Sequence, residues 1–263
     1  MANRPARNLN PMSPSKGQES SPRSEPCSAF FLVGPTASSK SAVAQHIAEL
    51  RKTVILSADS MLVYRGMDIG TAKPSQDERA RVVYGGLDLA DADKSFSVGQ
   101  YVEHARAFLS EHCARGITPI VAGGTGLYVK CLTEGLAPLP PADPALRAWA
   151  EALLDKGGIA ALQDALKARD AEGYDSLRDK NNPRRLIRAL ELAGRKSVET
   201  RTWSSSPSVP MVGLQPDMKT LTHRIQARVR TMYDNGLLDE VERLLSTHEK
   251  LSETASHAIG YEE

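Results

Sequence analysis

The sequence predicts an α/β fold: a mostly parallel sheet flanked by helices, interrupted by a helical insertion. Three observations carry this. Short, fully apolar runs bounded by turn residues alternate with amphipathic stretches, the pattern of a parallel sheet covered by helices. The first apolar run passes through a Gly-Pro turn directly into a helix-like segment. After Pro138-Leu139-Pro140-Pro141 the apolar residues recur at helical spacing over a long stretch with no strand between them.

The elements follow in order. Ala29 to Val33 is a continuous apolar strand, and Val43, Ile47 and Leu50 lie at helical spacing after it. Further strands are expected at Thr53–Leu56, Pro119–Ala122 and Val209–Leu214. Asp143-Pro144 opens a helix whose stripe is Leu146, Trp149, Leu153 and Leu154, and Gly157-Gly158 is placed to end it. A second helix carries Ile159, Leu162 and Leu166; Asn182-Pro183 opens a third, closed by Gly194. Two amphipathic helices follow, Leu221–Met232 and Leu237–Leu245, separated by Asn235-Gly236. The expected organisation is a disordered extension over 1–27, an α/β core over 28–138 and 206–263, and a helical insertion over 139–205.

Composition excludes several classes. With 263 residues, 41% of them hydrophobic and 25% charged, the chain is neither disordered throughout nor a disulfide-stapled miniprotein. Thirty-three Lys+Arg against 32 Asp+Glu give a net charge of +1, which excludes a uniformly basic coat but says nothing of local patches. No apolar run approaches the ~20 residues that cross a bilayer. Cys27, Cys113 and Cys131 are odd in number and lack metal-ligand spacing, so free thiols in a reducing cytoplasm are expected. The Arg- and Ser-bearing start has no apolar h-region of a secretory signal. The chain ends at Ala258–Glu263 with no terminating signal, which reads as a truncation.

The first chemical motif is Gly34-Pro35-Thr36-Ala37-Ser38-Ser39-Lys40-Ser41, between the first strand and the first helix. It fits GxxxxGK[ST] except that Ser39 stands where the second glycine belongs. Successive backbone N–H groups and a helix N-terminus can curl around a phosphate; Lys40 adds a point charge, and the Ser41 hydroxyl can ligate Mg²⁺. The fold is therefore P-loop NTPase-like. If the Ser39 position requires positive φ, its Cβ costs about 1–2 kcal/mol.

Asp59 follows the second strand. In a doubly wound sheet the carboxyl ends of adjacent strands face one crevice, so Asp59 is expected beside the phosphate loop. A general base, an outer partner of Mg²⁺ and a helix N-cap are all compatible with its position.

Five ordered segments then become specific: GPTASSKS; Ser57 to Pro74, SADSMLVYRGMDIGTAKP; Val121-Ala122-Gly123-Gly124-Thr125-Gly126-Leu127-Tyr128; Asn182 to Glu191, NPRRLIRALE; and the closing AIGYEE. Together, over residues ~30–263, the chain resembles the tRNA dimethylallyltransferases, also called tRNA isopentenyltransferases. The resemblance implies transfer of a dimethylallyl group from dimethylallyl diphosphate to N6 of the adenosine 3′ of the anticodon. It implies that Gly34, Pro35, Thr36, Ala37, Ser38, Ser39, Lys40 and Ser41 hold the diphosphate with Mg²⁺. Asp59 is implied as the base. Asp59, Ser60, Met61, Leu62, Thr125, Pro183, Arg184, Arg185, Leu186 and Ile187 match positions that meet the tRNA anticodon stem-loop. A monomeric cytoplasmic protein with no membrane partner is expected.

Arg188 lies on the same helix and Arg195 and Lys196 just after it; the resemblance implies that this basic stretch meets tRNA, whereas Arg224, Arg228 and Arg230 read as surface charge. Where relatives carry His-His-Leu ahead of Asp88, Tyr84-Gly85-Gly86-Leu87 stands instead. The family also continues past the closing motif into a basic segment. The alternatives are an adenylate-type isopentenyltransferase, another P-loop small-molecule kinase, or a catalytically impaired tRNA-binding remnant.

Overall fold

The computed structural model describes residues 28–136, 143–194, 209–258 and 260–261. The 1–27 extension, both ends of the expected insertion and Arg195 and Lys196 lie outside the described residues.

The elements run β1 (Phe30–Val33), α1 (Lys40–Arg51), β2 (Ile55–Ser57), α2 (Gln76–Arg81), β3 (Tyr84–Gly85), α3 (Val98–Ala114), β4 (Ile120–Gly123) and α4 (Gly126–Thr133). They continue with α5 (Pro144–Arg169), α6 (Ala171–Ser176), α7 (Pro183–Leu192), β5 (Met211–Gly213), α8 (Met218–Asp234), α9 (Leu237–Thr247) and α10 (Glu253–Ser256). Five strands form one sheet in the order β3-β2-β4-β1-β5, every pair parallel. The mostly parallel α/β sheet read from the sequence is thus present. The two-residue strand β3 gives no sequence signal, because Tyr84-Gly85 is too short to carry a periodicity.

Side-chain alternation along the strands splits the core into two layers. Phe31, Leu56 and Val121 pack on one face with α3 and α4 residues such as Tyr101, Val102, Tyr128 and Val129. Leu32, Ile55, Ile120 and Ala122 pack on the other face with Ala44 and Ala48 of α1. Val43 and Ile47 join that layer, but Leu50, expected on the same stripe, is exposed.

Helices α5, α6 and α7 form a unit with its own apolar centre: Ala150, Leu162, Leu166, Leu186, Ile187 and Leu190. Asp143 and Asn182 cap α5 and α7, each with Pro at the start, as the sequence indicates. Gly158, at φ 65° and ψ −162°, is non-helical and divides α5 into two helices that meet at a kink, where the sequence places the stop. Trp149 is largely exposed, and Ala150 takes the inward place beside it. Glu191 is buried and bonded to Arg147 Nε at 2.9 Å and Arg188 Nη1 at 2.6 Å, so two helices share one carboxylate.

Among the cysteines, Cys131 is a free buried thiol, and Cys113 is disulfide-bonded rather than free as expected. Cys27 lies outside the described residues. Among the described residues no helix is long and apolar enough to cross a membrane.

Candidate active site

The phosphate loop joins β1 to α1 in the expected strand–loop–helix context. Ser39 is the N-cap of α1 in the left-handed region, φ 69° and ψ 15°. The strain inferred from the missing glycine is therefore present, and Ala37 shares it at φ 62°. A Cβ on Gly34 would sit 2.7 Å from both Leu214 O and Ser38 Oγ, so the loop curls too tightly there for any side chain. The Ser38 hydroxyl is buried with no hydrogen-bond partner in the protein. A buried donor without a partner is costly, which makes it a ready group for a phosphate oxygen.

Lys40 Nζ donates to Pro35 O at 3.3 Å across the loop. Burial lowers the Lys40 pKa; the Asp59 charge opposes this and the Arg228 charge adds to it. The amine is thus half-desolvated between one anion and one cation.

Asp59 reaches the loop by a route that corrects the sequence argument. β2 and β1 are not neighbours, because β4 lies between them. Asp59 meets the loop across the C-terminal end of β4, where Gly123 presses on the Ala58 carbonyl so closely that no Cβ fits. Lys40, Ser41, Asp59, Leu62, Tyr84 and Gly123 line one small cavity of about 30 Å³. Asp59 is not a helix N-cap: its Oδ1 accepts from Met61 N at 3.0 Å and folds the 59–62 turn on itself. Thr125 begins α4 without capping it; its Oγ1 instead accepts from Ser60 N at 3.0 Å and so ties this turn to the Gly-Gly-Thr-Gly segment. Behind the turn Tyr101 and Tyr128 stack with centroids 3.7 Å apart, and the Tyr101 hydroxyl donates to Ser57 O at 2.9 Å.

Tyr84 lines the wall of this small cavity. Burial pushes its phenol up to about 12, and it donates to Gln45 Oε1. The phenol therefore stays protonated and committed to α1. A Cβ on Gly85 would fall 2.6 Å from the Phe108 ring, which fills the next place.

Two residues read as surface charge belong here. Arg224 and Arg228, one turn apart on α8, line a cavity of about 380 Å³ with Ala37, Ser38, Ser39, Lys40, Ser41 and Ala72. Arg224 Nη1 donates to Ser39 Oγ at 3.0 Å; Arg228 Nη2 donates to Thr71 O at 3.1 Å. Their i,i+4 spacing is visible in the sequence, but not the surface they face.

The 183–187 segment is divided by its helix periodicity. Leu186 and Ile187 are buried in the α5–α7 centre, so their side chains offer no surface to a ligand, contrary to the expectation for them. Arg184 is exposed but ion-paired to Glu253 at 2.8 Å, and Arg188 to Glu191. Arg185 is exposed, and Pro183 starts the helix beside it.

The sequence model of a family described as IPP transferase matches residues 62–263. The chain belongs to this family. IPP-transferase relatives include a tRNA dimethylallyltransferase of Corynebacterium efficiens, 40% identical over 237 residues, covering 88% of this chain and 78% of that protein. One from Thermus thermophilus is 38% identical over 237 residues, covering 88% and 77%. Among solved structures, the full-length tRNA isopentenylpyrophosphate transferase from Bacillus halodurans superposes with a TM-score of 0.60 at 34% identity, over 89% of this chain and 75% of that one. A eukaryotic dimethylallyltransferase acting on tRNA gives a TM-score of 0.71 at 20% identity, a likeness of fold.

Proposed function

We propose that this chain transfers a dimethylallyl group from dimethylallyl diphosphate to N6 of the adenosine 3′ of the anticodon in tRNA. The observation that carries the reading is the shared cavity. A base-type carboxylate, Asp59, lines the same small space as Lys40 and Ser41 of the phosphate loop, in a chain of the IPP transferase family.

The residues divide the chemistry between them. The diphosphate lies in the cradle of Gly34 to Ser41, against Lys40, Arg224 and Arg228. As the C1–O bond of the allyl group breaks, its electron pair stays on the diphosphate. The three cations, the loop N–H groups and the orphaned Ser38 hydroxyl meet that growing charge. The adenine N6 lone pair forms the new bond to C1. Asp59 accepts the N6 proton. The adenine has to leave the anticodon-loop stack to reach this depth. Met61 and Leu62 on the fixed 59–62 turn, with Thr125, form its seat.

Mg²⁺ fits the oxygen-bearing residue types present: Ser41 lines both cavities, and Asp59 lines the smaller one with it. Ser41 would hold the ion, which when bound neutralises diphosphate charge. The α5–α7 unit would serve as the tRNA-facing insertion domain, with Arg185 and Pro183 presented outward. The reading is of a monomer acting in the cytoplasm.

Incubation with labelled dimethylallyl diphosphate and tRNA should give prenylated tRNA and diphosphate. Product from AMP alone would mark an adenylate-type enzyme, phosphate transfer from ATP a kinase, and tRNA binding without product an impaired remnant. Any of the three overturns the proposal.

A further inference from the structure

The closing segment and α9 are joined to the phosphate cavity by an unbroken chain of hydrogen bonds. Glu240 of α9 is buried, and its carboxylate accepts from the backbone N–H groups of Asp68 at 2.9 Å, Ile69 at 2.9 Å and Gly70 at 3.2 Å. Tyr261 donates its hydroxyl to the same carboxylate. Burial and the adjacent Glu240 carboxylate both raise the Tyr261 phenol, which keeps it a donor. The Tyr261 ring occupies the space a side chain at Gly70 would need: a Cβ there would sit 2.5 Å from its Cε2.

The clamped segment leads straight into the cavity wall. Ala72 N donates to Ile69 O at 3.0 Å, and Lys73 N to Asp68 O at 2.9 Å. Ala72 is held in the left-handed region at φ 52° and lines the phosphate cavity. A strained alanine persists only where its surroundings over-determine it. Between these residues, the Thr71 carbonyl accepts from Arg228. Lys73, its side chain wholly buried between Tyr64 O, Asp68 and Asp88, fixes the far end of the segment.

We propose that Glu240 and Tyr261 are positioning residues for the phosphate site: they set the Asp68–Ala72 segment, and through Thr71 and Ala72 they aim Arg228 into the cavity. The proposal rests on reading that cavity as the diphosphate site. Three converging N–H groups need an acceptor on both carboxylate oxygens. Glutamine cannot serve there, because its NH₂ would face donors. Phenylalanine at 261 keeps the ring against Gly70 and removes a single bond to the carboxylate.

The test is inorganic pyrophosphate binding by calorimetry to the full chain, with the affinity for a tRNA anticodon stem-loop and the melting temperature measured alongside. Tyr261→Phe should weaken pyrophosphate binding about tenfold. Stem-loop affinity should not change. Glu240→Gln should weaken pyrophosphate binding further; where that variant does not fold, Tyr261→Phe alone decides. Lys40→Ala is the control for the site. If Lys40→Ala loses pyrophosphate while Tyr261→Phe binds it like the parent, the positioning role is wrong. If Tyr261→Phe loses stem-loop and pyrophosphate affinity together, the role is general stability, and the proposal also fails. If Lys40→Ala binds pyrophosphate like the parent, the diphosphate reading itself fails.

Discussion

Arg224 on α8 donates a hydrogen bond to the Ser39 hydroxyl, at 3.0 Å, across a separation of 185 residues. The residue that replaces glycine in the phosphate loop thus holds one of the cavity's cations. Its side chain costs backbone strain at φ 69° and also ties up an arginine suited to an anion.

Ser39→Gly therefore relieves two constraints. The strain released, about 1 kcal/mol, nearly cancels the entropy glycine adds to the unfolded chain, so Tm should move by less than about 2 °C. Turnover should rise roughly threefold, the scale of one freed hydrogen bond. Steady-state transfer assays check this; unchanged or lower turnover refutes the claim that Ser39 restrains the loop.

Asp59→Asn keeps an oxygen to accept from Met61 N and so keeps the turn, but it cannot take a proton. Transfer should fall by about 10²–10⁴-fold. tRNA binding and Tm should stay near the parent values. Retained turnover at more than a tenth of the parent rate would remove Asp59 from the proton transfer.

Lys40 sets a pH dependence. Burial holds its pKa below the ordinary 10.5, and a diphosphate favours its protonated form. The Lys40 contribution to pyrophosphate affinity should decline as pH rises through the lowered value, before 10.5 is reached. Between the two values the unfolded chain binds more protons than the folded one, so this group makes stability increase with pH there. Calorimetric titrations from neutral to alkaline pH check the first point. In Lys40→Met both dependences should disappear, and a profile identical to the parent would contradict the assignment.

Leu186 and Arg185 are neighbours with opposite tasks. Leu186→Ala opens the α5–α7 centre at about 2–5 kcal/mol. It should make that unit protease-sensitive and weaken tRNA binding indirectly, while pyrophosphate binding persists. Arg185→Ala should leave protease resistance intact and reduce the slope of log affinity against log salt by about one. An unaltered slope would place Arg185 outside the RNA contact surface.

Local chemistry is legible without coordinates. GPTASSKS between an apolar strand and a helix announces a phosphate loop, because strand, glycine turn and helix are all local decisions. The caps Asp143 and Asn182 and the stop at Asn235-Gly236 can likewise be read in place. Their determinants lie within one turn of the backbone.

What lies beyond reach is which surfaces meet. Strand order is set by crossovers, so the insertion of β4 between β1 and β2 leaves no trace in the residues of any one strand, and with it the route from Asp59 to Lys40 stays hidden. Arg224 and Arg228 look in sequence like any solvated helix face; only the packing of α8 against Thr71 and Ser39 makes them the wall of the cavity beside the loop. Leu186 and Arg185 sit side by side in one motif, yet the 100° step between successive helix positions buries one and exposes the other. The sequence by itself determined the chemistry, a phosphate loop with a lysine, a hydroxyl and a distant carboxylate. The tertiary structure decided the geometry, because the cations beside the loop and the hydrogen bonds of Glu240 with residues 68–70 and Tyr261 arise from contacts between segments up to 185 residues apart.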